Sequence, residues 1–316
     1  MTTSQRFIPR GIWPPLLMNW DERWNLDLHA FDANLARLVE SGPHGLYTLD
    51  TASEFHTMEF DEWDFVARRF VAACRRLQPR LPIGLGCTWT HQAGALRRVA
   101  VARDLGVEII HLSAPYWVPL DEDGLLTFLE AVQREAEHLG VVLYAPPWGK
   151  LPLTAALYTR AVEVAPCVIG SKTVGADRDL LAAPSRAAGH SHFVHESNLV
   201  PGFAAGAAGN YSALAGISMP FMLDWWRLIE RSDPRADVIR HRVDAFYADA
   251  VEPLRKRGIL AGAVDKAMAQ IGGMVGSRRL RPPYPSCPDD LFETMQAAAQ
   301  RLLTAAGGPV VPRPLP

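Results

Sequence analysis

Lys172 and Tyr144 are the side chains whose chemistry stands out. Among 32 lysine and arginine residues, the lysines are Lys150, Lys172, Lys256 and Lys266, so arginine is the routine cation of this chain. A desolvated lysine amine can shed its proton and attack a carbonyl carbon, whereas a guanidinium stays charged. Lys172 ends the apolar run in "CVIGSKTVGADRDL", and Tyr144 ends a similar run, "VVLYAPP", 28 residues earlier. A phenol at that distance can carry protons between a carbinolamine, an imine and the oxygen at a bond being broken. The protonated imine draws electrons from the neighbouring carbon, which becomes an enamine. That electron sink calls for no cofactor and no metal. Each residue also has a plainer role. Lys172 could be a solvated cation paired with Asp177 or Asp179, and Tyr144 a core aromatic whose hydroxyl meets water.

The surrounding pattern brings the two together. Amphipathic helices ending at glycine alternate with short, apolar, often β-branched runs, the signature of βα units around a parallel sheet. In the first helix Phe31, Leu35, Leu38 and Val39 share one face, and Gly42 follows as its cap. A second helix over 62–77 buries Trp63, Val66, Phe70 and Cys74. Eight strands are predicted near 11–18, 46–49, 82–87, 108–113, 141–144, 168–172, 192–196 and 209–213. That number in that length predicts an α/β fold, a (β/α)₈ TIM barrel over 1–225. A C-terminal helical extension over 226–305 and a loosely ordered, proline-rich tail over 306–316 follow. An open doubly wound sheet would close its first strand with a GxGxxG turn, but that strand runs into "PPLLMNWDERW".

Chemistry in such a barrel sits at the carboxyl ends of the strands. Those ends nominate "DTASE" (50–54), "SAPYW" (113–117), "YAPPWGK" (144–150), "SKT" (171–173), "HES" (195–197) and "YSA" (211–213). Lys172 and Tyr144 then share one mouth from neighbouring strands. Trp89, Tyr116, Trp117 and Trp148 are candidates for an aromatic wall there, or for core and subunit contacts.

Composition narrows the class of partner. With 48% hydrophobic and 21% charged residues and a net charge of -2, the chain has no basic footprint for nucleic acid and no polybasic stretch for a membrane. Cys74, Cys87, Cys167 and Cys287 lack metal-ligand spacing and read as buried thiols. The first residues, "MTTSQRFIPRGIWPPLLMNW", lack a charged segment followed by an unbroken apolar run, so a cytoplasmic location is expected.

The two strands carrying Tyr144 and Lys172, with their spacing, resemble the dihydrodipicolinate synthase and N-acetylneuraminate lyase family of class I aldolases. There "VVLYAPP" is similar to the tyrosine strand and "VIGSKTVGADRDL" to the Schiff-base strand. The resemblance implies a metal-independent lyase that holds pyruvate or another 2-keto acid as an imine on Lys172, with an aldehyde as possible second substrate. It also implies a homodimer or homotetramer. The family's carboxylate-holding turn matches "DTASE", where Thr51 keeps one hydroxyl, Ala52 has lost the other and Asp50 stands in place of glycine. Asp50 would oppose a nearby anion unless it is paired or turned away, or else it caps a turn. Trp117 stands where the synthase branch has a proton-relaying tyrosine, and "PYWVP" and "RPPYPSCPDD" are more similar to hydratase-aldolases. His195, Glu196 and Ser212 match positions that contact the distal part of the substrate in the lyase branch.

Two functions follow as expectations. In the first, Lys172 forms the imine, Tyr144 moves protons, Thr51 holds the substrate, and Trp117, His195, Glu196 and Ser212 shape the acceptor pocket. Aldol cleavage, aldol condensation and dehydration share the same enamine. In the alternative, a catalytically impaired barrel with the altered "DTASE" loop binds a keto acid as a regulatory protein.

Overall fold

Eight short apolar segments pair as parallel strands: β1 (Gly11–Trp13), β2 (Leu46–Thr48), β3 (Ile83–Gly86), β4 (Ile109–Leu112), β5 (Gly140–Tyr144), β6 (Val168–Lys172), β7 (Ser191–Phe193) and β8 (Gly209–Tyr211). The computed structural model describes residues 6–146, 149, 151–184 and 188–304. Neighbours run β1-β8-β7-β6-β5-β4-β3-β2. A parallel bridge between Pro15 and Tyr47 brings β1 back to β2. The fold is the expected (β/α)₈ barrel.

Strand β1 is shorter than the 11–18 expected. Pro14 and Pro15 have no N–H to give the ladder. The seam is held instead by Leu16 N–H donating to Tyr47 O at 2.8 Å, His44 N–H to Ile12 O at 3.1 Å and Tyr47 N–H to Pro14 O at 3.4 Å. Strands β7 and β8 also end before the predicted limits, and His195 and Glu196 lie at the turn after β7. Strand β6 spans the residues expected.

The helices are α1 (Leu28–Glu40), α2 (Phe60–Leu77), α3 (Gln92–Asp104), α4 (Glu122–Ala136), α5 (Ala155–Val164), α6 (Arg178–Ala182), α7 (Leu199–Ala204), α8 (Met219–Glu230), α9 (Arg235–Phe246), α10 (Glu252–Lys256), α11 (Ala261–Ile271) and α12 (Asp289–Thr304). Helix α2 shows why such segments fold. A capping box between Glu59 and Glu62 starts it, Arg75 and Arg76 offset the dipole at its end, and Trp63, Val66, Phe70 and Cys74 are buried. Each large apolar side chain so buried stabilises by about 1.5–3 kcal/mol. Asp27 caps α1 by accepting from Ala30 N–H at 3.0 Å. All four cysteines are buried and unbridged. Among the described residues no helix is long and apolar enough to cross a membrane.

The barrel axis is filled by Trp13, Tyr47, Ile109, Val142, Ile169, Phe193 and Tyr211. Ile169 and Lys172 both face inward although they stand three apart, which strict alternation along a strand forbids. A register shift accounts for this. Val168 pairs with Val141 and Gly170 with Val142, so Ile169 is an extra residue that fills the axis while Lys172 stays opposite Tyr144.

Helices α9 to α12 form a second cluster with α8, including Trp225, Trp226, Phe246 and Met295. A five-residue π turn, Tyr247–Val251, joins α9 to α10. The expected boundary after residue 225 falls within α8. The tail over 306–316 lies outside the described residues.

Candidate active site

The carboxyl ends of the strands open into a cavity of about 1060 Å³ whose wall includes Tyr144, Lys172, Thr51, His195 and Glu196. Lys172 leaves β6 with 17% of its side chain exposed, and its Nζ donates to Asp50 Oδ2 at 2.9 Å. The partner of this lysine is therefore Asp50, not Asp177 or Asp179. Asp177 caps α6 by accepting from Asp179 and Leu180 N–H. Asp50 does not cap its own turn with its side chain.

Rings surround the rest of the amine. The ring centroid of Tyr144 lies 4.2 Å from Nζ, that of Tyr47 5.2 Å and that of Tyr211 5.4 Å, an arrangement that favours a cation by its π faces. Tyr144 shares a side-chain hydrogen bond with Thr51. Burial raises the hydroxyl pKa of Tyr144, and the nearby Asp50 charge adds to that, so the phenol keeps its proton. Tyr47 and Tyr211 are raised in the same way, by burial first and then by Asp50.

Asp50 is 2% exposed. Burial alone would raise its pKa, but the Lys172 charge and hydrogen bonds from Lys172 and the Thr51 backbone together hold it below the ordinary value. His111 Nδ1 stands 3.9 Å from Asp50 Oδ2, with the His111 ring packed edge-on to Tyr47 and Tyr211. Burial brings the His111 pKa down to about 3, so it is a neutral ring. Asp50 is thus a carboxylate beneath the amine.

The loop after β2 is shaped for this contact. Leu49 and Glu54 take left-handed φ values of 61° and 57° on either side of Asp50–Ser53. Gly86 on β3 allows the close approach, since a Cβ there would lie 2.0 Å from Leu49 O. Glu54 then anchors the loop to the extension. Its Oε1 accepts from Lys266 Nζ of α11 at 2.6 Å, and its Oε2 from Arg281 N–H at 2.8 Å.

The other candidates separate. Glu196 lines the cavity, but its Oε1 is held by Ser212 Oγ at 3.1 Å and by the N–H groups of Ala213 at 2.8 Å and Leu214 at 3.2 Å. The Tyr247 hydroxyl donates to Oε2 at 3.1 Å, and His195 Nε2 lies 3.4 Å from the same oxygen. Burial lowers the pKa of His195 against the opposing pull of Glu196. Ser212, fully buried, is not part of the cavity wall and instead orients Glu196. Trp117 is 79% exposed and outside the wall, where Tyr116 takes its place, so within one chain Trp117 does not shape the pocket. The loop after β4 carries Trp117 away from the mouth. Trp89 packs beneath the Arg98 guanidinium at 3.7 Å instead of lining the cavity. Trp148 lies outside the described residues.

Sequence reasoning missed Asp265. It projects from α11 into the same cavity, and none of the hydrogen bonds among the described residues reaches its carboxyl. Burial, then the Glu196 charge, raises its pKa to about 7, with Lys172 opposing. No motif marks it, because it comes from the extension rather than from a strand end. His111 and Tyr47 were missed too, although inward alternation along β2 and β4 was a usable signal, whereas Tyr211 stands in the nominated end of β8.

The chain matches the dihydrodipicolinate synthetase family over residues 8–302. Among curated relatives, an uncharacterized DapA-like lyase of Thermococcus onnurineus is 26% identical over 48% of this chain and 50% of its own length. A probable 5-dehydro-4-deoxyglucarate dehydratase of Methylobacterium radiotolerans is 27% identical over 82% of this chain and 84% of its own length. The chain thus spans about half the length of the Thermococcus relative and most of the Methylobacterium one. Among solved structures, YagE from E. coli K12 in complex with pyruvate superposes with a TM-score of 0.81 at 20% identity, covering 93% of this chain and 98% of that one, a likeness of fold. On the extent of the family match, the chain belongs to the dihydrodipicolinate synthetase family.

Proposed function

We propose that this chain is a lyase that captures a small 2-oxo compound as an imine on Lys172. The observation that carries the reading is the Lys172 amine inside a strand-end cavity, 4.2 Å from the Tyr144 ring, with Tyr144 hydrogen-bonded to Thr51. The family resemblance makes pyruvate or a substituted 2-keto acid the expected substrate, with an aldehyde as co-substrate or product.

In the resting site Asp50 holds the lysine in place and accepts its proton as the amine attacks. Tyr144, kept neutral by burial, gives its proton to the carbinolamine oxygen and recovers one through Thr51. Loss of water leaves the iminium, and deprotonation of the adjacent carbon gives the enamine. Asp265, facing the same space, is placed to exchange a proton with an oxygen farther along the substrate. Cleavage, condensation and dehydration all pass through that enamine. Glu196 and His195 shape the distal wall, and Ser212 behind it orients Glu196. Trp117 belongs with Tyr116 and Val118 to an exposed apolar patch suited to a second copy of the chain in a homodimer or homotetramer.

Reductive trapping tests the reading. A panel of 2-oxo compounds with cyanoborohydride should add one substrate mass to the protein, and Lys172→Ala should abolish the adduct. The Asp50 contact on Nζ favours one other reading, a barrel that binds keto acids without turning them over. Saturable binding with no trapped adduct would establish it.

A further inference from the structure

The cavity wall carries more acidic side chains than lysines and arginines. Asp50, Glu54, Glu196 and Asp265 face it, against Lys172 and Arg255. Arg255 is a rim residue with 53% of its side chain exposed, next to Glu252 at 3.9 Å. Glu54 is neutralised by Lys266, Glu196 is satisfied by its hydrogen bonds and burial makes Asp265 hold its proton more tightly than an ordinary carboxyl, which leaves Asp50, 2.9 Å from Nζ, as the charge that meets the reacting nitrogen. A carboxylate on the carbon next to the imine stands two bonds from Nζ. It would share the ammonium with a buried carboxylate already 2.9 Å away.

Several donors of the turn are already engaged. The Thr51 backbone bonds Asp50 itself. Ser53 N–H donates to Asp50 O at 2.9 Å and Glu54 N–H to Thr51 O at 3.1 Å, closing the turn on itself. The Ser53 hydroxyl donates to Leu16 O at 2.8 Å, and Ala52 has no hydroxyl.

Resting on the imine reading of Lys172, we infer that Asp50 takes the place of a substrate carboxylate, so that the site selects uncharged hydroxyketones over 2-keto acids. The balance of the covalent step supports this. The ammonium and a neutral ketone together become an iminium and one water, with Asp50 ionised at the start and at the end. Asp50 takes one ammonium proton, the amine's electron pair forms the C–N bond and the carbonyl π pair moves to oxygen; that proton and a second one from the nitrogen pass to the oxygen, the C–O bond breaks to release water, and the nitrogen pair closes the C=N bond, leaving Asp50 ionised again. Lys172 and Asp50 are then a neutral pair throughout, with no third charge to accommodate.

The test compares hydroxyacetone with pyruvate, which share a three-carbon skeleton and differ in CH₂OH against carboxylate. Each is trapped with cyanoborohydride, read by intact mass and peptide mapping, and referred to its trapping on acetyl-lysine to remove intrinsic reactivity. Hydroxyacetone should label Lys172 at a half-saturating concentration at least tenfold lower than pyruvate. Both Asp50→Asn and Asp50→Gly should reduce that ratio at least tenfold. Lys172-dependent labelling of the wild type by pyruvate at equal or lower concentration would overturn the selectivity and leave the imine reading intact, whether or not the variants fold. Absence of any Lys172-dependent adduct with either compound would overturn the imine reading and the selectivity with it.

Discussion

In the proposed reaction Tyr144, a neutral phenol in contact with Thr51, transfers protons. Tyr144→Phe keeps the ring beside Nζ and removes only the hydroxyl. Turnover should fall by about 10²–10⁴-fold while trapping on Lys172 persists, as steady-state and trapping assays on the same preparation would read. Asp265 gives a second prediction. Its folded pKa, about 7, lies above the ordinary 3.8, so the native state holds the proton more tightly than the unfolded chain does. The stability from that neutral form is full below about pH 4 and is lost as pH rises through 7. Asp265→Asn removes the titration. Because water in the cavity trims the effect, the variant should be more stable than wild type by about 1–3 kcal/mol at pH 8, with little difference at pH 4, by urea unfolding at both values. The juxtaposition of Lys172 and Tyr144 was legible because lysine is rare in this chain and each of the two residues ends an apolar run on neighbouring strands. The contact of Asp50 with Lys172 was not, since 122 residues separate them and only closure of the barrel joins them.

Among the elements, the loop after β2 and helix α11 act as a unit. Lys266 and Glu54 are almost fully buried, 1% and 2% exposed at their side chains, and Trp20 Nε1 adds a donor to both Glu54 oxygens at 3.1 Å. Lys266→Met should cost about 3–5 kcal/mol, because it strands the Glu54 charge, and Glu54→Gln in the same chain should recover much of that. Equilibrium denaturation of the single and double variants checks both. A larger loss of Lys172 trapping than of stability would show that the pair also sets the angle of Asp50. The strand and helix order was readable from periodicity. The inserted residue at Ile169 was not, because a bulge depends on the partner strand, and neither was the early end of β1, where prolines stand in an otherwise apolar run.

For the whole molecule, the barrel with its helical extension was visible in the alternation of apolar strands and capped helices. The source of Asp265 was hidden, because a helix beyond the barrel returns over its mouth. The exposed patch of Tyr116, Trp117 and Val118 leads to an assembly prediction. Sedimentation equilibrium should give a dimer or tetramer, and replacing Trp117 and Val118 with serine should weaken association at least tenfold without changing the circular dichroism of the subunit.

Amide exchange should not be uniform around the cylinder. Where the first stave meets the second, Pro14 and Pro15 contribute no protons, and the longest of the three backbone bonds named there is 3.4 Å. That join should breathe first and let deuterium into Tyr47 well before the amides of Val141 to Leu143 in the opposite wall. Each opening would tilt the Tyr47 ring away from Nζ, so a seam far from any reacting bond would govern how long the ammonium stays sheltered.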